Sequence, residues 1–115
     1  MGYMVQVYVS EVPITDEGEA VQLIVDAYYA HRAEWIAFTP EQLGDEFFEL
    51  RTGRAGAIAQ KFVSYRMGLA VVGDIAERVA ASKPLADWVR ESNRGRSLLF
   101  ARDLDELREL LQDRQ

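Results

Sequence analysis

Four short apolar runs, at 4–9, 33–38, 69–72 and 97–101, are separated by stretches in which apolar residues recur every three or four positions. This alternation constrains the chain to an α/β fold, because parallel strands need crossovers and helices supply them. The first run, Met4-Val5-Gln6-Val7-Tyr8-Val9, is rich in β-branched residues and closes at the turn-like Ser10 to Pro13. Beyond it, Ala20, Val21, Ile24, Ala27, Tyr28 and His31 share one helical face, and Asp16 with Glu19 fits a capping box. His31 is read as a partly buried packing residue of that stripe.

The second run is a strand covered on both faces, and Thr39-Pro40-Glu41-Gln42 starts a short helical turn that Gly44 ends. A further helix is predicted from the Arg51–Gly56 stretch to about Arg66, with Gly68 as its terminator. Leu69 to Val72 is the third strand, halted by Gly73-Asp74, while Ile75 to Ala81 carries an ambiguous pattern. Leu85, Trp88 and Val89 mark a helix that exits at Ser92-Asn93-Arg94-Gly95, where left-handed backbone is expected at Asn93 and Gly95. Ser97 to Ala101 is the fourth strand. Asp103 and Glu106 then cap a last helix striped by Leu104, Leu107, Leu110 and Leu111.

These elements predict one α/β domain over 1–115: a mainly parallel four-stranded sheet of order 2-1-3-4 with helices on its faces. In such sheets ligands meet the loops at the carboxyl ends of the strands, where strand order reverses. Here that means Thr39 to Arg54, and Gly73-Asp74.

Nineteen acidic against thirteen basic side chains give a net charge of −6, which argues against general nucleic-acid binding. The absence of cysteine removes disulfides, thiolate metal sites and cysteine nucleophiles, and a cytoplasmic protein is expected. The first residues, Met1 to Gln6, carry no targeting signal, and no apolar run approaches the ~20 residues that span a bilayer. No membrane association is therefore expected.

The stretch from Phe47 to Gly56, Phe-Phe-Glu-Leu-Arg-Thr-Gly-Arg-Ala-Gly, and then Gln60-Lys61-Phe62-Val63-Ser64-Tyr65-Arg66, resemble the signature of an uncharacterised bacterial family. Gly73-Asp74 and Glu91-Ser92-Asn93-Arg94-Gly95 are similar to that family's later motifs, so the resemblance covers nearly the whole chain. It is a family of unknown function. More remotely, Thr52-Gly53-Arg54-Ala55-Gly56 resembles the helix start of STAS domains, the sulfate-transporter and anti-sigma-factor-antagonist fold. That resemblance implies a STAS-like architecture, and it places on Thr52 the role of the serine that a partner kinase phosphorylates.

Read on their own, the same residues support two chemistries. Gly53 and Gly56 give a small-residue helix start, suited either to close packing or to an anion or partner at the helix N-terminus. Arg51 and Arg54, followed by Lys61 and Arg66, form a basic cluster that either binds an anionic group or pairs with Asp45, Glu46 and Glu49. Thr52 serves as N-cap or phosphoacceptor. Asp74, Glu91 and Asn93 are candidate contacts at the sheet edge, or local turn and helix-exit residues.

A conventional catalytic set is lacking, because His31 is the single histidine and Glu46 and Glu49 lie a helical turn apart on a solvated surface. No metal site or cofactor is expected. The leading expectation is a non-enzymatic regulatory or protein-interaction module. The alternative is a binder of, or enzyme acting on, a small anionic metabolite at the carboxyl edge. Homodimerisation is compatible with either, since helix one carries Leu23, Val25, Tyr29 and Ala30 outside its main stripe.

Overall fold

The computed structural model describes residues 4–113, so the first three residues of the Met1 to Gln6 stretch, expected to carry no targeting signal, lie outside the described residues. Strands β1 (Val7–Val9), β2 (Trp35–Phe38), β3 (Gly68–Val72) and β4 (Leu98–Ala101) form one parallel sheet. Helices α1 (Glu17–His31), α2 (Pro40–Leu43), α3 (Asp45–Phe48), α4 (Arg54–Ser64), α5 (Ala76–Ala81), α6 (Lys83–Asn93) and α7 (Leu104–Gln112) connect and follow them. A 3₁₀ turn, Leu50–Thr52, leads into α4. No helix among the described residues is long and apolar enough to cross a membrane.

The strand order is 1-2-3-4, which corrects the expected 2-1-3-4. The reason lies in burial. Every residue of β2 is buried, as a central strand requires, whereas β1 is short, with Val7 and Tyr8 half-buried and Val9 exposed, as an edge strand allows. With all crossovers stepping the same way and sharing one hand, their helices fall on one face. Ala20, Ile24 and Ala27 of α1, Ala55, Ile58 and Phe62 of α4 and Leu85 of α6 accordingly pack with Ile36, Phe38, Leu69, Val71 and Phe100. The strand order never reverses, so the sheet has no switch point.

Among the described residues, α7 is the one helix that closes the other face. Leu107 and Leu111 cover Trp35, Ala37, Ala70, Leu99 and Ala101, and the small Ala37 and Ala70 are register partners under that helix. Alternate strand residues thus serve opposite cores, as the two-residue period dictates.

Local sequence accounts for most helix ends. Thr39 and Gln42 make a reciprocal capping box with Pro40 at the first helical position. Asp16 and Asp103 accept from the N–H of Glu19 and Glu106. Those glutamates, however, reach one residue further back, to the N–H of Thr15 and Arg102, so the expected Asp16–Glu19 box is only half made. Helix α4 ends at Ser64, two residues short of expectation. Its left-handed exit residue is Arg66 (φ 57°), and Gly68 belongs to β3. At the end of α6 the expected left-handed backbone at Asn93 and Gly95 is absent, because Arg94 closes the helix in right-handed geometry. The ambiguous 75–81 segment is α5. His31 is exposed and stacks on Tyr8 with ring centroids 4.6 Å apart, which corrects its placement on the buried stripe.

Candidate functional site

The expected site residues separate into two places along the carboxyl edge of the sheet. Thr52, Gly53 and Arg54 line a cleft of about 270 Å³ between the N-termini of α1 and α4, together with Asp16, Glu17 and Glu46. Asp74 and Asn93 line a second cleft of about 290 Å³ beyond β3 and β4, with Ile75, Val79 and Phe100. Arg51, Gly56 and Glu91 are exposed and line neither cleft.

At the first place, Gly53 is the N-cap of α4, with φ 77°, so the expected Thr52 cap is displaced by one residue. A left-handed cap is a position that glycine alone occupies without steric cost. Thr52 is nevertheless tied in. Its Oγ1 lies 3.0 and 2.9 Å from the carbonyls of Glu46 and Glu49, to which it donates, and it accepts from the N–H of Arg54 at 3.2 Å. Arg54 pairs with Glu46 at 2.9 Å, and the exposed Arg51 lies 3.8 Å from Glu49. Arg51 and Arg54 are therefore neutralised by the acids beside them, whereas Arg66, expected in the same basic cluster, lies past the far end of α4 and outside this cleft. Lys61 faces Glu17 at 3.9 Å. Ala55 is buried in the core, but a Cβ built on Gly56 meets nothing within 4 Å, so close packing does not explain that glycine.

At the second place, Asp74 accepts from the N–H of Ala76 at 2.9 Å and holds the turn into α5. Asn93 has a role the sequence did not disclose. Its side-chain amide bonds both the N–H (2.7 Å) and the carbonyl (3.2 Å) of Phe100 on β4. Nearby, Arg78 pairs with Asp45 at 2.9 Å and lies over the Phe48 ring, fastening α5 to α3.

The amino edge of the sheet is different in character. The C-terminal ends of α1 and α4 part there to leave a groove of about 460 Å³ walled by Tyr28, Tyr29, Tyr65 and Arg66. The three tyrosines are 49%, 70% and 50% exposed. A second cleft of about 320 Å³ adjoins it, sharing Glu34, Arg66 and Met67 and adding Arg96. Val25 and Tyr29 are the members of this surface that the sequence sets outside the main stripe of α1. The remaining signal was an arginine just past each of α1, α4 and α6, at Arg32, Arg66 and Arg94.

Among the described residues, no group of three or more His, Asp or Glu side chains could hold a metal ion. A family model described as domain of unknown function (DUF4180) matches residues 3–111, and the chain belongs to that family. No curated protein and no solved structure matches it significantly.

Proposed function

We propose that this member of the DUF4180 family is a non-enzymatic protein-interaction module, and that partners dock on the aromatic groove between α1 and α4. The observation that carries this reading is the exposed wall of Tyr28, Tyr29 and Tyr65 beside Arg66. Tyrosine combines a large apolar ring with a polar tip, and with arginine it dominates the energetics of protein interfaces. Folding leaves these rings in water, and docking would remove that apolar surface from it. Random peptides displayed on phage, selected on the immobilised protein, test the reading. Selected peptides should lose binding to a Tyr29→Ser/Tyr65→Ser variant, and equal binding to both proteins sinks it.

A regulatory, STAS-like version has one specific support, the exposed Thr52 between Arg51 and Arg54. A phosphate there would end the hydroxyl's donation to the Glu46 and Glu49 carbonyls and draw Arg54 from Glu46. The sheet order that accompanied the STAS resemblance is not the one found, so only the loop motif favours this version. If Thr52→Asp and Thr52→Ala bind the selected peptides as the parent does, phosphoregulation of that surface is wrong. The small-anion alternative has less support, because Asp16, Glu17 and Glu46 line the carboxyl-edge cleft.

A further inference from the structure

We infer that the partner docking at the amino edge presents an acidic peptide segment with an apolar anchor; this rests on the interaction reading above and adds the partner's chemistry. Among the described residues, ion pairs engage Arg51, Arg54, Lys61, Arg78, Lys83, Arg90 and Arg102. The cations outside those pairs are Arg32, Arg66, Arg94, Arg96 and Arg108. All but Arg108 sit in the connections that enter β2, β3 and β4, at the amino edge.

The carboxylate within those connections is Glu34, one oxygen of which accepts from the N–H of Gln6. The opposite edge carries Asp45, Glu46 and Glu49, paired with Arg78, Arg54 and Arg51, and beyond those pairs Glu11, Asp16, Glu41, Asp74 and Asp103, so a chain of net charge −6 is polarised along its strands. An acidic segment is drawn to one end and repelled from the other.

A positive charge just past a helix C-terminus also complements the helix dipole, which accounts for Arg32, Arg66 and Arg94 taken singly. It does not account for Arg96, nor for the apolar groove that Arg66 shares with Tyr28, Tyr29 and Tyr65. The groove supplies an apolar seat, and Arg66 and Arg96 on the adjoining cleft supply donors for carboxylates.

Charge also decides among occupants. A second copy docking through the same patch about a two-fold axis would set arginine rim against arginine rim. Single-stranded RNA needs open ring faces for stacking, yet the Tyr28 and Tyr29 rings form a T-shaped pair with centroids 5.2 Å apart, and Arg32 lies over the Tyr28 ring at 5.5 Å.

The displayed-peptide selection separates this inference from the reading it rests on. Enriched peptides should combine Asp or Glu with Leu, Ile or Phe, and a synthetic peptide from the selection should bind less tightly as salt rises. Arg66→Glu and Arg96→Glu, both on exposed side chains, should each weaken that binding on the order of tenfold while leaving the circular dichroism spectrum unchanged. Enriched peptides that require Tyr29 and Tyr65 but carry no acidic bias overturn the acidic partner and leave the docking groove standing. Peptides indifferent to the tyrosines, or no enrichment, overturn both. Displacement of the peptide by polyuridylate, or a dimer in sedimentation that Arg66→Glu strengthens, overturns the peptide as occupant.

Discussion

The side-chain amide of Asn93 occupies the outward-facing N–H and carbonyl of Phe100, the place a fifth strand would take. The carbonyls of Ser97 and Ala101 accept from Leu69 and Gly73, so by the alternation of the ladder Phe100 points its backbone groups away from β3. An open edge invites pairing with another chain, and here one residue of α6 closes its middle. Replacing Asn93 by Leu keeps the size and removes both bonds, which should lower stability by about 1–3 kcal/mol. Urea unfolding measures this, and the variant should also aggregate faster on heating than the parent. Unchanged unfolding and aggregation would refute the edge-closing role.

Trp35 lies across the backbone of its register partner Gly68, where an added Cβ would come within 2.1 Å of the indole. The ring is buried beneath α7, so it cannot swing clear without opening that core. Gly68→Ala should cost about 1–3 kcal/mol by overpacking and red-shift the fluorescence of Trp35 as water reaches it. Stability within about 0.5 kcal/mol of the parent would mean that the neighbouring layer gives way freely.

Element types were readable because helix and strand periods differ, and the caps at Asp16, Thr39 and Asp103 are local chemistry. Strand order was not, because it depends on which strand is wet. Gln6 and Tyr8 in the first run, against the wholly apolar Trp-Ile-Ala-Phe of the second, were the available signal. At the carboxyl edge, pairing of the arginines with Glu46 and Glu49 was one of two readings open in the sequence, and what decides between them is how α3 and the 3₁₀ turn fold back on α4. Asn93 looked like a helix exit, and nothing in its sequence neighbourhood announces a bond to Phe100 seven residues on.

The loop before α4 offers a paired test. Thr52→Ala loses the hydroxyl's bonds and should destabilise by about 1 kcal/mol, whereas Thr52→Ser should restore most of that. Gly56→Ala, at an exposed helical position with open space around it, should instead stabilise by about 0.5–1 kcal/mol. Thermal unfolding of the three variants checks both signs. A loss of stability in Gly56→Ala would restore the close-packing explanation for this glycine.

Asp87 bonds Arg90 at 2.7 Å and lies 3.3 Å from Lys83, and these hydrogen bonds, Arg90 first, hold its carboxyl below the ordinary aspartate range. A depressed folded-state value means that the ionised form supports the fold above the unfolded-state value. That support fades as pH falls through the depressed one. Carbon-detected NMR titration should place Asp87 below the ordinary aspartate range, and Arg90→Ala should raise it more than Lys83→Ala does. An Asp87 midpoint unmoved by either change would remove the pairing in solution.

The two ends of the sheet should also differ toward a simple anion. At the carboxyl edge the arginines are engaged by Glu46 and Glu49, and the cleft is lined by carboxylates, so inorganic phosphate gains little there. At the amino edge, Arg66 and Arg96, which take part in no ion pair among the described residues, line the cleft. Amide shifts in a phosphate titration at constant ionic strength should therefore move first at Arg66, Met67, Arg96 and Ser97, while Thr52 to Gly56 stay still. Occupancy at 100 times the dissociation constant would raise stability by about 2.7 kcal/mol, so a thermal shift in phosphate that Arg66→Glu abolishes locates the binding at this edge. The reverse pattern, with shifts confined to 52–56 and a thermal gain that survives Arg66→Glu, would return the anion to the start of α4 and revive the metabolite reading.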